Sequence, residues 1–138
     1  MKVVNQVNPS PERMQEFFGG DEDGAFVMVN LLKFKDRAEY PDGRETDLSG
    51  AEAYALYGAA VVERLAAVGA KPRYSGPVTG LMLGEVEENW DMVALAEYPS
   101  LDAMKAMIMS PEYQAISVHR TAGLAGQLNI KTKAGSLG

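Results

Sequence analysis

The chain has no cysteine, one histidine and one tryptophan, and each scarcity removes a class of chemistry. Without cysteine there is no disulfide framework, no thiolate nucleophile and no thiolate metal site. One histidine among scattered carboxylates gives no metal-ligand spacing, so no metal site is expected. Serines are present, but no nucleophile elbow surrounds any of them. A haem would need His119 as its axial ligand, and nothing else in the sequence points to one, so no cofactor is expected. Basic residues are also short, 13 against 19 acidic ones, for a net charge of -6 and a pI near 4.8. Affinity for nucleic acid rests on Lys and Arg neutralising phosphates, so nucleic-acid partners are not expected. Long apolar runs are missing as well. No segment reads as a membrane span, and Met1-Lys2-Val3-Val4-Asn5-Gln6 lacks the apolar run of a signal peptide, so a cytoplasmic protein without membrane partners is the expectation.

What remains is an ordinary globular composition, 46% apolar and 23% charged over 138 residues, which fits one domain with a single core. The order of signals divides it into a short helix and turn over residues 1–24, a main body over 25–131 and a polar tail over 132–138. Ser10-Pro11-Glu12 starts the first helix, with Ser10 as cap, Pro11 in the first turn and Glu12 at the positive end of the dipole. Gly19-Gly20 ends it. Asp21-Glu22-Asp23-Gly24 lacks the alternating ligands of a calcium loop and reads as a solvated turn.

Residues 25–35 form the first strong strand. Phe26, Met28, Leu32 and Phe34 share a face with Asn30, and Ala25, Val27, Val29 and Leu31 share the other. Two apolar faces need two covers: helices on one side and, in so short a chain, a second subunit on the other. Asn30 on an apolar face is either a satisfied core amide or a ligand contact. Residues 36–48 are a long polar connection with a Tyr40-Pro41-Asp42-Gly43 turn, either a lid or an insertion. Ser49 and Glu52 then make a capping box for a long helix reaching Gly69. Tyr54, Tyr57, Val61, Leu65 and Val68 form its inward stripe, so both tyrosines either pack in the core or line a cavity.

Residues 70–84 read as an interrupted strand whose Gly76, Gly80 and Gly84 mark bends rather than a phosphate loop. An acidic turn at 85–89 leads into a strand at 90–98, with Val93 and Leu95 on one face and Met92, Ala94, Ala96 and Tyr98 on the other. Asp91 there suits a strand end or a desolvated acid. Ser100 caps a helix to Met109 whose inward stripe is Leu101, Met104 and Ile108. Ser110-Pro111-Glu112 restarts it, because proline cannot continue a helix interior. The new segment places Tyr113, Ile116 and Arg120 in one stripe with His119 beside it. Gly123 and Gly126 close the helical region, and Leu128-Asn129-Ile130 is a short last strand.

Strand, helix, strand, strand, helix, strand is the split pattern of a ferredoxin-like α+β sandwich, βαββαβ, here preceded by an extra helix. Five segments in order, Asn30-Leu31-Leu32-Lys33-Phe34, Tyr74-Ser75-Gly76, Trp90-Asp91, Tyr98-Pro99-Ser100 and Ser110-Pro111-Glu112-Tyr113-Gln114, resemble the bacterial domain-of-unknown-function 1330 family. The resemblance runs from about Ala25 to Ile130. It implies a dimeric α+β barrel, in which two ferredoxin-like subunits pack sheet against sheet as a homodimer, and it implies no established reaction. Related barrel families include cofactor-free oxygenases, lactone isomerases and haem enzymes, an analogy of fold only.

His119 is the natural acid–base candidate, since its ordinary pKa lies near neutrality, and Arg120 could hold a carboxylate or enolate oxygen. The alternative is a helix-end cation at His119 with Arg120 in water. Two readings of function follow. One is a metal-free enzyme, isomerase- or oxygenase-like, doing acid–base chemistry on a small apolar organic acid. It would use His119 and Arg120, with Asn30, Tyr54, Tyr57, Tyr74 and Tyr98 lining the pocket. The other is a ligand-binding or structural homodimer without turnover.

Overall fold

The computed structural model describes residues 1–20 and 24–134. Asp21-Glu22-Asp23 and residues 135–138, expected in a solvated turn and a polar tail, lie outside them. The elements run α1 (Pro11–Phe18), β1 (Phe26–Phe34), α2 (Gly50–Ala67), β2 (Lys71–Pro77), β3 (Met92–Tyr98), α3 (Leu101–Ile108), α4 (Pro111–Gly123) and β4 (Leu124–Thr132). All pairings are antiparallel and the sheet order is β2-β3-β1-β4, so the two crossovers, through α2 and through α3 with α4, make the ferredoxin-like sandwich.

The helix starts follow their caps. Ser10, Ser49, Ser100 and Ser110 each accept a backbone N–H from three residues on, and Glu52 returns a bond to the Ser49 amide at 2.8 Å. At the end of α2, Gly69 takes φ +77, a left-handed turn closed by Ala70 N–H to the Leu65 carbonyl (2.9 Å) and Gly69 N–H to that of Ala66 (3.1 Å). This is the two-bond stop that glycine makes cheap.

The even positions of β1 meet the helices. Phe26, Met28 and Leu32 are all but fully buried. Phe26 and Met28 join Tyr98, Leu65, Ala70, Leu101, Met104 and Met107 in the core. Met107 takes the deep place expected of Ile108, which is half-buried beside it. On the far face, Val27, Val29, Leu31, Val93 and Leu95 are only partly covered and Ile130 is exposed.

Three boundaries differ from the sequence reading. β2 ends at Pro77 rather than reaching Gly84, because the segment beyond leaves the ladder after one bond, Val78 N–H to Asp91 O; Leu81, Met82 and Leu83 stand exposed. β3 starts at Met92, two residues after Trp90. β4 is nine residues long and begins directly at Leu124. No loop separates it from α4, because the fully buried Leu124 must already point into the core. Gly126 therefore sits inside the strand.

Residues 36–48 are fastened to the helices. Ala38 N–H bonds Leu48 O and Glu39 N–H bonds Ala122 O, both at 3.0 Å. Ala38 and Tyr40 are buried against Ala53 and Ala122.

Candidate functional site

Between the sheet and the α2–α4 pair lies a polar cluster inside otherwise apolar packing. β1 supplies Asn30 and Phe34, α2 supplies Tyr54 and Tyr57, α4 supplies Tyr113 and Arg120, and β4 supplies Gln127. The spacing of Tyr54 and Tyr57 on α2, and of Tyr113 and Arg120 seven residues apart on α4, turns each pair to one side of its helix. The rings meet in sequence: Phe34 on Tyr54 at 5.4 Å, Tyr54 on Tyr57 at 5.3 Å, and Tyr57 edge-on to Tyr113 at 6.0 Å. The hydroxyls of Tyr57 and Tyr113 are hydrogen-bonded at 2.9 Å.

Arg120 is held by a directed chain. Its Nη2 donates to Gln127 Oε1 (2.6 Å), Gln127 Nε2 donates to Asn30 Oδ1 (2.7 Å), and Asn30 Nδ2 donates to the Ala94 carbonyl (3.1 Å). A guanidinium can only donate and a carbonyl can only accept, so the two ends fix the orientation of both amides between them. Gln127 is buried, and a buried amide satisfied on both atoms holds its neighbours firmly. The second acceptor of Nη2 is the Val7 carbonyl (2.5 Å), and Nη1 reaches Asn8 Oδ1 at 3.4 Å. Each of these acceptors around the guanidinium is neutral. Among the described residues no carboxylate pairs with it.

The phenols are correspondingly hard to ionise. Burial pushes Tyr54 up to about 12, against a pull downward from the Arg120 charge. Tyr57 is raised well above its ordinary value by burial first and then by Tyr113 and Tyr54. Burial likewise raises Tyr98, which stacks on Phe26 at 5.6 Å. At neutral pH all three are neutral donors, suited to polarising an oxygen and unsuited to removing a proton.

Of the residues singled out from sequence, Asn30, Tyr54, Tyr57, Tyr98 and Arg120 therefore lie on the helix-facing side. Tyr74 does not. A bulge between Pro72 and Tyr74 pairs Tyr74 with Leu95, which puts it on the opposite face, 60% exposed. His119 also faces elsewhere: its Nδ1 meets the Tyr40 hydroxyl at 2.7 Å, with the rings edge to face. Arg120 is not left to water, as the helix-end alternative had it. Asp91 serves the strand end, accepting Phe34 N–H at 2.8 Å. Gln127 escapes sequence reasoning because nothing marks one glutamine near a strand as buried.

Two concavities lie away from the cluster. One, an open hollow of about 550 Å³, is lined by residues of the 36–48 loop, Arg37, Tyr40 and Arg44 among them. The other, about 130 Å³, lies between Asn5, Lys33, Glu88, Trp90 and Gly126. Among the described residues no group of three or more His, Asp or Glu is placed to hold a metal ion, and no helix is long and apolar enough to cross a membrane.

A family model described as Domain of unknown function (DUF1330) matches residues 44–132. The RPA0582 protein of unknown function from Rhodopseudomonas palustris is 34% identical, over 95% of this chain and 98% of that one, with a TM-score of 0.85. A dimeric ferredoxin-like protein of unknown function from Thermobifida fusca YX is 16% identical over 82% and 93% of the two chains, with a TM-score of 0.50. SnoaB, a cofactor-independent oxygenase from Streptomyces nogalater, is 12% identical over 82% and 95%, with a TM-score of 0.52. At such identities the last two show the shared ferredoxin-like fold alone. No curated protein matches this chain.

Proposed function

The chain belongs to the DUF1330 family, and from that footing we propose that it is a homodimer that binds a small apolar or aromatic organic acid between sheet and helices. The observation that carries this reading is Arg120: a partly buried guanidinium surrounded by neutral acceptors, beside a cluster of tyrosine rings. Leaving a guanidinium partly desolvated without a counter-charge is costly, and a carboxylate or enolate oxygen entering the cluster would supply that charge through stronger, charge-assisted bonds. The neutral hydroxyls of Tyr54 and Tyr57 add donors, and the aromatic rings accept an apolar body. Asn30 acts through Gln127 by keeping the guanidinium in place.

Binding without turnover fits the cluster better than acid–base catalysis. The phenols hold their protons, and His119, the group best suited to proton transfer, is engaged with Tyr40. The dimeric Thermobifida fusca neighbour supports the pairing, as does the apolar far face of the sheet. SnoaB lends the fold and no activity at 12% identity.

The test is a thermal-shift panel of small aliphatic and aromatic carboxylates beside their neutral amides. A binding carboxylate at a hundredfold excess over Kd should raise Tm by about 5–10 °C, its amide should not, and Arg120→Met should lose the response. Equal shifts with acid and amide, or a response surviving in Arg120→Met, would sink the reading.

A further inference from the structure

Residues 5–8 cross the open edge of β4 and finish on Arg120. Their seat has four parts. Gln6 pairs with Gln127 through one long backbone bond, N–H to O at 3.3 Å. Asn5 lies directly over Gly126, where an added Cβ would come within 2.6 Å of the Asn5 Cβ. Asn5 Oδ1 accepts the indole N–H of Trp90 at 3.0 Å, and the Val7 carbonyl takes one of the Nη2 protons of Arg120. The segment is otherwise exposed, Val7 alone being half-buried.

Resting on the anion reading of Arg120, we infer that this segment is a strap that occupies the guanidinium in the absence of ligand and gives way when a carboxylate takes its place. The two sides of Arg120 are unlike. Gln127 is buried and locked to Asn30, so that side is fixed. The strap side offers a neutral carbonyl and a distant amide oxygen, held by few bonds in contact with water, and a carboxylate outcompetes such acceptors for a guanidinium. The strap is exposed apart from Val7 and reaches the guanidinium through the Val7 carbonyl and Asn8 Oδ1 alone, so it is the side of Arg120 from which a ligand can enter. Gly126 is the seat: without a side chain at that point, residue 5 can lie flat on the strand and tie to Trp90.

A strap competing with ligand lowers apparent affinity by the fraction of molecules in which it is down. Gly126→Ala places a methyl group where Asn5 lies and lifts the strap. The probe is cyclohexanecarboxylate, which does not absorb where tryptophan is excited, with binding read by calorimetry and strap position by Trp90 emission. Wild type should bind with a red shift as the indole loses Asn5 and meets water. Gly126→Ala should be red-shifted beforehand, show no further shift, and bind the probe about tenfold more tightly. Asn5→Ala, which removes the tether without adding bulk, should move the same way by a smaller factor and covers the case in which Gly126→Ala folds poorly. Binding of equal strength in all three proteins, or binding by wild type with unchanged Trp90 emission, overturns the strap and leaves the anion site standing. Absence of binding in every variant removes the anion site and the strap together.

Discussion

Tyr54, Tyr57 and Tyr98 carry their hydroxyls out of bulk water, so ionising them is harder in the folded chain than in the unfolded one. Above pH 10 the unfolded state releases these protons and the native state keeps them, so unfolding gains and stability falls as pH rises. The sign follows from the raised native pKa: the contribution is complete below pH 10, and for Tyr54 it declines up to about pH 12. Each tyrosine that stays protonated should lower stability by about 1.4 kcal/mol per pH unit across that window. Urea midpoints between about pH 9 and 11.5, with the ultraviolet phenolate band followed in parallel, check it. A flat stability profile, or complete phenolate formation in the native protein at about pH 10.5, would contradict the placement of these rings.

The same residues show what can be read early. Tyr54 and Tyr57 are legible because helical spacing fixes their side of α2. Tyr74 is not, because strand parity depends on the count of residues in the ladder, and the bulge before it shifts that count by one and turns the ring to the other face. Arg120 and His119 are neighbours in sequence, but about 100° of helical rotation separates them, enough to send one under the sheet and the other toward Tyr40.

At the level of elements, β1, α2 and α4 meet backbone to backbone. Gly50 N–H bonds the Lys35 carbonyl at 3.1 Å and Lys35 N–H bonds the Gly123 carbonyl at 2.8 Å. A Cβ on Gly50 would collide with the carbonyl oxygens of both Lys35 and Gly123, and one on Gly123 with that of Gly50. These carbonyls cannot swing away without breaking the junction that aligns α2 with α4 and so places Tyr57 against Tyr113. Gly50→Ala should therefore destabilise the protein by about 3 kcal/mol. Gly58, inside the same helix, has no neighbouring atom within 4 Å of the place a Cβ would take, and it should do the opposite. Gly58→Ala should stabilise by about 0.5–1 kcal/mol through helix propensity alone. Denaturant curves of the two variants separate crowding from propensity, and similar losses in both would refute the close junction. From sequence, nothing marks Gly50 beyond its place between Ser49 and Glu52, since close approach between elements distant along the chain leaves no local mark.

For the whole molecule, the far face of the sheet sets the next expectation. Val27, Val29, Leu31, Val93, Leu95, Leu128 and Ile130 form a continuous apolar surface on the side of the sheet away from the helices, and surfaces of that kind mark contacts between proteins. Light scattering at micromolar concentration should give the mass of a dimer. Leu95→Lys should give a folded monomer, because the charge would be buried only in the pair. A wild-type monomer, or a Leu95→Lys dimer of undiminished stability, would exclude this face as the interface.

The sequence by itself determined the order of elements, the caps that start the helices and the two-faced character of the central strands. All of these rest on interactions within a few residues or on a period of about two or 3.6. Only the tertiary structure decided which face meets the helices, that Gln127 links Arg120 to Asn30, that Gly126 seats residue 5, and that His119 belongs to the loop at Tyr40. Those outcomes depend on register, on a bulge and on contacts between residues 79 and 97 positions apart, and no local pattern encodes a distance of that kind.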